Sequence, residues 1–293
     1  MTTCNDRIIA KAVPAWVLLT ASLLSVGPVQ AGACTGVSGN ARVALVELFT
    51  SEGCSSCPPA DRWLSALRLD GKKTMAPLAF HVGYWDRLGW PDRFAQPAFV
   101  DRQYALARQQ KSDLVYTPQF FRDGIDWRPL RAGGATPKAT PPGADLQLEL
   151  ATSADKRLVV SGEARLRRGS NQAEVYLALY ENNLSSRIEA GENAGSLLRH
   201  DFVVRALRGP LPLPAGGAAA IKQVFELDPA WKGADLGVTA FVQEAATSRI
   251  QQALQLPLVD AVGLDKIEAV HQPVEIARHA VKVVQSRRAP ALL

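Results

Sequence analysis

The 293-residue sequence is poor in the side chains that most often bind metals, with only four cysteines, four histidines and two methionines. It also lacks a dense stripe of basic residues, because the lysines and arginines behind the net charge of +5 are scattered. The electrostatic pattern of a nucleic-acid-binding protein is therefore missing, and we expect no nucleic-acid partner. A hydrophobic content of 47% is typical of a globular protein rather than a disordered one.

Long hydrophobic runs are absent except for one, over residues 12–26, which follows Arg7 and Lys11. This run is shorter than the roughly 20 residues that a membrane-spanning helix needs. A basic start, a short apolar run and small residues at 29–31 are together typical of a secretory signal peptide. We predict a signal peptide over residues 1–31, a periplasmic or secreted location, and no integral membrane span after cleavage. An uncleaved N-terminal anchor is the alternative.

The first half of the remaining chain alternates strand patterns with helix patterns. Apolar runs at 43–49 and 78–82 predict strands, whereas the spacing of apolar residues at 58–67 and 97–110 predicts helices. Prolines at the start of both helical segments favour helix N-termini there. This alternation predicts an α/β domain over residues 40–130.

Residues 131–144 are rich in proline and glycine, which predicts an interdomain linker. Short strand-like segments separated by turn residues follow, and they predict an all-β, sandwich-like domain over residues 145–260. These segments are 146–150, 158–160, 175–180, 202–204, 224–225, 239–243 and 250–258. Residues 261–293 form a C-terminal tail that could be a basic amphipathic helix.

The cysteines carry the clearest chemical signal. Signal cleavage would remove one and leave Cys34, Cys54 and Cys57 in an oxidising compartment. Cys54 and Cys57 form a Cys-x-x-Cys pair between a predicted strand and a predicted helix, where the helix N-terminus stabilises a thiolate. Such placement can lower a thiol pKa from about 8.5 to between roughly 3.5 and 7.5. We expect Cys54 to lie at the mouth of the site and attack, and Cys57 to be shielded and resolve the intermediate. We expect Cys34 to be a free or transiently paired thiol in a flexible arm.

Two other interpretations of the pair stay open, a structural disulfide and a metal site. A metal site would need further soft or imidazole ligands, and His81 is the one imidazole expected nearby. Copper(I) is the candidate metal in that case. We predict neither a metal nor an organic cofactor, since the electrons of the favoured reaction reside in the cysteine pair.

Supporting residues follow from the pattern around the pair. Thr117 and Pro118 precede a strand-like segment, and a proline there suits a cis-proline loop that lies against the disulfide; a cis X-Pro bond costs only about 0.5 to 1 kcal/mol. We expect Pro118 to position the substrate backbone and Thr117 to supply adjacent backbone contacts. Glu47, on the strand that leads to the pair, could take up protons if it is buried, with a solvent-facing or capping carboxylate as the alternative. His81 is a possible second supporting residue.

The segment from Glu47 to Asp61, which reads Glu-Leu-Phe-Thr-Ser-Glu-Gly-Cys-Ser-Ser-Cys-Pro-Pro-Ala-Asp, resembles the hallmark of the secreted thioredoxin-like proteins grouped as domain of unknown function 1223. Residues 81–90, 116–119, 190–193 and 198–205 are similar to its other signatures. The resemblance covers nearly all of residues 43–258 and implies a thioredoxin-like fold for the first domain. Gly83 departs from the family pattern, which has an aspartate there.

The sequence therefore predicts an α/β thioredoxin-like domain followed by an all-β sandwich-like domain. Its expected function is thiol–disulfide exchange with exported proteins or small thiols. The alternative function is a non-enzymatic envelope binding module in which the disulfide is permanent. The reduction potential separates the two, because structural disulfides typically lie below about −300 mV.

Overall fold

The computed structural model describes residues 2–5, 33–69, 73–132, 139–153, 155–167, 169 and 171–258. The first strands and helices are β1 (Thr2–Asn5), β2 (Ala33–Val37), β3 (Ala44–Thr50), α1 (Pro58–Ala66), β4 (Met75–His81), α2 (Pro97–Gln109), β5 (Gln119–Arg122), β6 (Ile125–Trp127) and α3 (Pro129–Ala132). The strands that follow are β7 (Ala144–Thr152), β8 (Arg157–Leu166), β9 (Ala173–Glu181), β10 (Leu184–Arg187), β11 (Leu197–His200), β12 (Val203–Leu213), β13 (Ala218–Glu226), β14 (Leu236–Glu244) and β15 (Ile250–Pro257). Short 3-10 helices lie at Leu67–Leu69, Gly83–Leu88 and Gly233–Asp235.

These strands form three sheets. An eight-stranded sheet has the order β15-β14-β9-β12-β4-β3-β5-β6, and a five-stranded sheet has the order β1-β2-β7-β8-β13. The third is the two-stranded hairpin of β10 and β11. Within the large sheet β3 pairs in parallel with β4 and antiparallel with β5.

The predicted fold class is wrong. Strands from both halves of the chain share the eight-stranded sheet, because β12 lies beside β4: Val203 pairs in parallel with Ala79, and the Ala79 N–H donates to the Phe202 carbonyl at 2.8 Å. The described residues are mainly β-strand with few helices, so they do not form an α/β thioredoxin-like unit followed by a separate sandwich. The sequence patterns predicted most of the strands but neither β10 nor β11, and they could not tell which strands pair across the chain.

The cores explain why the halves join. One core cluster combines Leu48 and Phe49 of β3 with Ala178 of β9 and Phe241 of β14. The other lies between the two large sheets and includes Leu148 of β7 together with residues of β8, β9 and β14. Strands β3 and β14 are buried along their whole length, as expected for sheet positions covered on both faces.

Local predictions around the cysteines are confirmed. The strand predicted at 43–49 is β3, and the helix predicted at 58–67 is α1, which has proline in its first turn. Proline is tolerated there because the first N–H groups of a helix have no intrahelical partner. The chain therefore leaves the large sheet at Thr50 and enters a helix at Pro58, with both cysteines between.

Some predictions lie outside the described residues. These are the signal peptide apart from the residues of β1, the central part of the proposed linker, and the C-terminal tail at 261–293. Among the residues that the structure does describe, no helix is long and apolar enough to cross a membrane.

Candidate functional site

Cys54 and Cys57 form a disulfide in the turn between β3 and α1, with their Cα atoms 5.5 Å apart. Cys57 is the N-cap residue of α1, and its carbonyl accepts the N–H groups of Ala60 at 2.8 Å and Asp61 at 3.1 Å. The positive end of the helix dipole therefore lies at Cys57, where it stabilises negative charge on the sulfur after reduction.

The disulfide is shielded from solvent. Cys54 is 2% exposed and Cys57 is 0% exposed, whereas Ser55 and Ser56 between them are exposed. The expectation that Cys54 lies at an open mouth is wrong, since both sulfurs are covered in this conformation. The side chains that this turn presents to solvent are therefore those of the two serines, not the two sulfurs.

The loop before β5 reaches the same place. The Thr117–Pro118 bond is cis, as the sequence predicted. The indole N–H of Trp85 donates to Thr117 Oγ1 at 2.6 Å, and a Cβ added to Gly53 would lie 3.1 Å from Trp85 Cβ. Trp85, on the 3-10 helix Gly83–Leu88, thus links the cysteine turn to the proline loop.

A segment from the second half of the chain lies against the cysteine turn. Residues 188–196, which join β10 to β11, are called the strap here. The side-chain amide of Asn193 donates to the carbonyls of Glu52 at 2.8 Å and Cys54 at 3.0 Å. Glu192 Oε2 accepts the Ser55 N–H at 3.0 Å. Sequence patterns gave no role to Asn193 or Glu192, although both lie in a segment similar to a family signature.

His81 belongs to a buried ion pair at the end of β4. Its Nδ1 lies 2.7 Å from Asp92 Oδ2, and Asp92 also accepts the N–H groups of Glu52 at 2.8 Å and Phe94 at 2.9 Å. Burial acts to lower the pKa of His81, but the charge of Asp92 and its hydrogen bond raise that pKa above the usual value. Burial acts to raise the pKa of Asp92, but His81 and the two backbone donors hold it below its usual value. Asp92, which sequence reasoning missed, thereby anchors the cysteine turn through Glu52.

A second charge cluster lies beneath the turn. His200 Nε2 is 3.2 Å from Glu52 Oε1, and its Nδ1 is 3.8 Å from Asp61 Oδ2; these are ion-pair distances without a directional hydrogen bond. Burial raises the pKa of Asp61, and the nearby His200 and His81 only partly oppose it. Burial acts to raise the pKa of Glu52 as well, but polar groups of His200 and its neighbours bring that pKa below the usual value. Asp201, the next residue after His200, does not join this cluster and pairs instead with Arg68.

Glu47 does not contact this charge cluster and pairs instead with Arg102. Its Oε1 is 2.5 Å from Arg102 Nε, and Arg102 also donates to Gln243 at 3.1 Å. Glu47 is 1% exposed, so the solvent-facing alternative is wrong. Its carboxylate is held by the guanidinium of Arg102 on α2, not by the cysteine turn.

The structure also bears on Cys34 and on the possible metal site. Cys34 is buried in β2 and forms a disulfide, so the expectation of a flexible arm is wrong, as is that of a free thiol. No group of three or more histidine, cysteine, aspartate or glutamate side chains in the described part of the chain is arranged to hold a metal ion.

Comparison with known proteins supplies the family and the fold. The family model "Protein of unknown function (DUF1223)" matches residues 45–243. No curated protein matches the chain. Protein AGR_C_4864 from Agrobacterium tumefaciens has a similar structure, with 22% identity, a TM-score of 0.52, and coverage of 75% of this chain and 96% of that one. HBP35 of Porphyromonas gingivalis is similar with 19% identity, a TM-score of 0.53, and coverage of 84% and 83%. At these identities the likeness concerns the fold alone.

Proposed function

The chain belongs to the DUF1223 family of proteins of unknown function, and we propose that it is an exported thiol–disulfide oxidoreductase that acts through Cys54 and Cys57. The observation that carries the proposal is the Cys54–Cys57 disulfide at the N-terminus of α1, with Cys57 at the N-cap. A helix N-terminus stabilises a thiolate, and a stabilised thiolate is a good leaving group in disulfide exchange. Oxidation of a client therefore has a favourable first step at this disulfide.

The exchange proceeds in two balanced steps. A client thiolate attacks Cys54 Sγ, a client–Cys54 disulfide forms, and the Cys54–Cys57 bond breaks with its electron pair on Cys57. A second client thiolate then attacks the client sulfur of this mixed disulfide and releases Cys54 as a thiolate. The client dithiol has been oxidised and the cysteine pair reduced; the reverse sequence reduces a client disulfide.

We infer from its spacing along α1 that Asp61 assists the first step as a hydrogen-bond donor to Cys57. It follows Cys57 by four residues at the start of α1, a spacing that brings Cβ atoms to within about 5 to 6 Å on one helix face. Both residues are buried, and burial raises the pKa of the Asp61 carboxyl. The raised pKa favours the protonated carboxyl of Asp61, which would donate a hydrogen bond to the Cys57 sulfur as the disulfide opens and add to the stabilisation of the leaving thiolate by the helix N-terminus.

Partners and location follow from the same chemistry. Clients would be exported proteins with cysteine pairs, or small thiols, in a compartment where disulfides persist. The signal-peptide pattern in the first 31 residues supports export to the periplasm or beyond. The reaction needs no organic cofactor, because the electrons are stored in the cysteine pair.

A defined client tests the activity. The Cys57→Ser protein, incubated with a disulfide-bonded two-cysteine peptide, should accumulate a one-to-one adduct at Cys54 that mass spectrometry detects and dithiothreitol removes. The Cys54→Ser protein is the matched control, since it keeps one thiol in the same turn. Equal adduct in the two variants, or none in either, would contradict the proposed roles.

A non-enzymatic binding module is the second candidate. It is favoured by the burial of both sulfurs, because disulfides that serve only structure are usually inaccessible to reductant. In that case the disulfide holds the β3–α1 turn, and exchange with thiols is not part of its function. The reduction potential separates the two candidates.

A further inference from the structure

The strap at residues 188–196 makes polar contacts with the cysteine turn through backbone groups of that turn. The Asn193 amide donates to the carbonyl oxygens of Glu52 and Cys54, and the Glu192 carboxylate accepts the N–H of Ser55. Two acceptors and one donor of the turn are thus occupied by side chains from another part of the chain. An extended client polypeptide would pair with these same N–H and carbonyl groups of the turn, since recognition of an extended chain uses backbone hydrogen bonds.

The strap supports its own conformation. The Ile188 N–H donates to the Ser196 carbonyl at 2.9 Å, and the Gly195 N–H donates to the Ile188 carbonyl at 2.8 Å. Its other side packs on the loop that follows the 3-10 helix Gly83–Leu88, where a Cβ on Gly191 would lie 3.4 Å from Trp90 Cβ. Three side-chain bonds hold the strap to the cysteine turn, whereas its internal backbone bonds do not involve that turn, so the strap can keep its own conformation when those three bonds break.

Asn193 is the main point of attachment. It is 8% exposed, and both of its donor contacts go to the cysteine turn. Glu192 is fully exposed, so its bond to Ser55 competes with water and contributes less. Loss of the Asn193 contacts would therefore release the strap more effectively than loss of the Glu192 contact.

We propose that the strap is an autoinhibitory occupant of the client-binding surface beside Cys54, and that a cysteine-containing extended polypeptide displaces it. This inference rests on the proposed function and explains how a buried disulfide can still exchange with a client. With the strap in place the sulfurs are shielded; with the strap displaced, the backbone groups of residues 52, 54 and 55 pair with the client and Cys54 becomes accessible to its thiolate.

The near-isosteric variant Asn193→Asp tests this. An ionised aspartate has no N–H to donate and places negative charge against two carbonyl oxygens, so the strap should open. We expect dithiothreitol to reduce Cys54–Cys57 at least about tenfold faster in this variant than in the parent protein, a change equivalent to about 1.4 kcal/mol. Reduction is followed by alkylation and mass spectrometry of the peptide that contains both cysteines, well below the thermal midpoint.

The control is Asn182→Asp, the same substitution at a residue whose Oδ1 accepts the Phe202 N–H and therefore keeps its bond. Its reduction rate should match that of the parent. Glu192→Ala removes an exposed contact without threatening the fold and should give a smaller acceleration. Hydrogen exchange at Ser55 should rise in both strap variants.

Unchanged reduction and exchange rates in Asn193→Asp and Glu192→Ala would overturn the strap inference, as would an equal acceleration in Asn182→Asp. The proposed function fails separately. If the strap variants accelerate reduction by dithiothreitol but no variant forms the peptide adduct at Cys54, the strap controls access to a disulfide that has no exchange activity.

Discussion

Replacing Asp92 with asparagine should loosen the cysteine turn and lower stability. Asp92 accepts hydrogen bonds from His81 Nδ1 at 2.7 Å, from the Glu52 N–H at 2.8 Å and from the Phe94 N–H at 2.9 Å. Asparagine keeps one oxygen but turns an NH₂ group towards one of these donors and removes the charge beside His81. Both members of the ion pair are fully buried, so water cannot replace what is lost.

The expected loss is about 3 to 5 kcal/mol, the usual cost of removing one partner of a buried ion pair. It is a large part of a typical unfolding free energy of about 5 to 15 kcal/mol. For a chain of this size each kcal/mol shifts the thermal midpoint by about 2 to 4 °C, so the midpoint should fall by about 6 to 20 °C.

The pH dependence has a definite sign. Because the pKa of Asp92 is lowered in the folded protein, its contribution is complete above the unfolded value and is lost as the pH falls through the folded pKa. Because the pKa of His81 is raised, its contribution is complete below the unfolded value and is lost as the pH rises through the folded pKa. The pair therefore stabilises the protein most at pH values between the unfolded pKa of aspartate and that of histidine. Asp92→Asn should make the free energy of unfolding depend less on pH on both sides of this range.

Urea unfolding of the parent protein and Asp92→Asn across this pH range is the assay. Asp155→Asn serves as the control, because Asp155 and its partner Arg157 are exposed, and surface ion pairs of this kind contribute little to stability. A loss for Asp92→Asn no larger than that of the control, or an unchanged pH profile, would refute the assignment of His81–Asp92 as a stabilising charged pair.

Three further substitutions have defined outcomes. Glu47→Gln should lower the unfolding free energy by about 3 kcal/mol, because Arg102 loses its buried charge partner. The rate of disulfide reduction should stay unchanged, and a slower rate would give Glu47 the proton-transfer role. Trp85→Phe removes the indole N–H that holds the proline loop, and denaturant titration should show a loss of about 1 kcal/mol; no loss would mean that this bond is not formed in solution. Gly124→Ala should destabilise by more than about 1 kcal/mol in the same assay, because its φ is +79° and the new methyl would collide with the Ser248 carbonyl; normal stability would contradict this backbone geometry.

Much of the local structure could be predicted because it depends on neighbouring residues. Prolines at 58 and 97 begin helices, and the apolar run before the cysteines is β3. These features need no knowledge of distant parts of the chain. The cis bond at Thr117–Pro118 is predicted on different grounds, because a proline before a strand in a chain with a Cys-x-x-Cys pair suits the cis-proline loop of the thioredoxin fold.

The sheet order and most of the site depend on distant pairing, which periodicity does not encode. The single parallel bridge between Val203 and Ala79 joins the halves into one sheet, and no pattern near either residue indicates it. Asn193 and His200 reach the cysteine turn through the β10–β11 hairpin, more than 130 residues later in sequence. The sequence indicates His81 as an imidazole near the site, but its carboxylate partner Asp92 lies in a loop without a recognisable motif.

The central claim is that Cys54 and Cys57 exchange electrons with thiols, and the reduction potential of this pair tests it most directly. The protein is equilibrated with glutathione buffers of defined ratio, the thiols are trapped by alkylation, and the fraction reduced is read by mass spectrometry of the peptide that contains both cysteines. We expect a potential above about −300 mV, within the range of disulfides that exchange. A potential below about −300 mV would show a structural disulfide and contradict the oxidoreductase proposal.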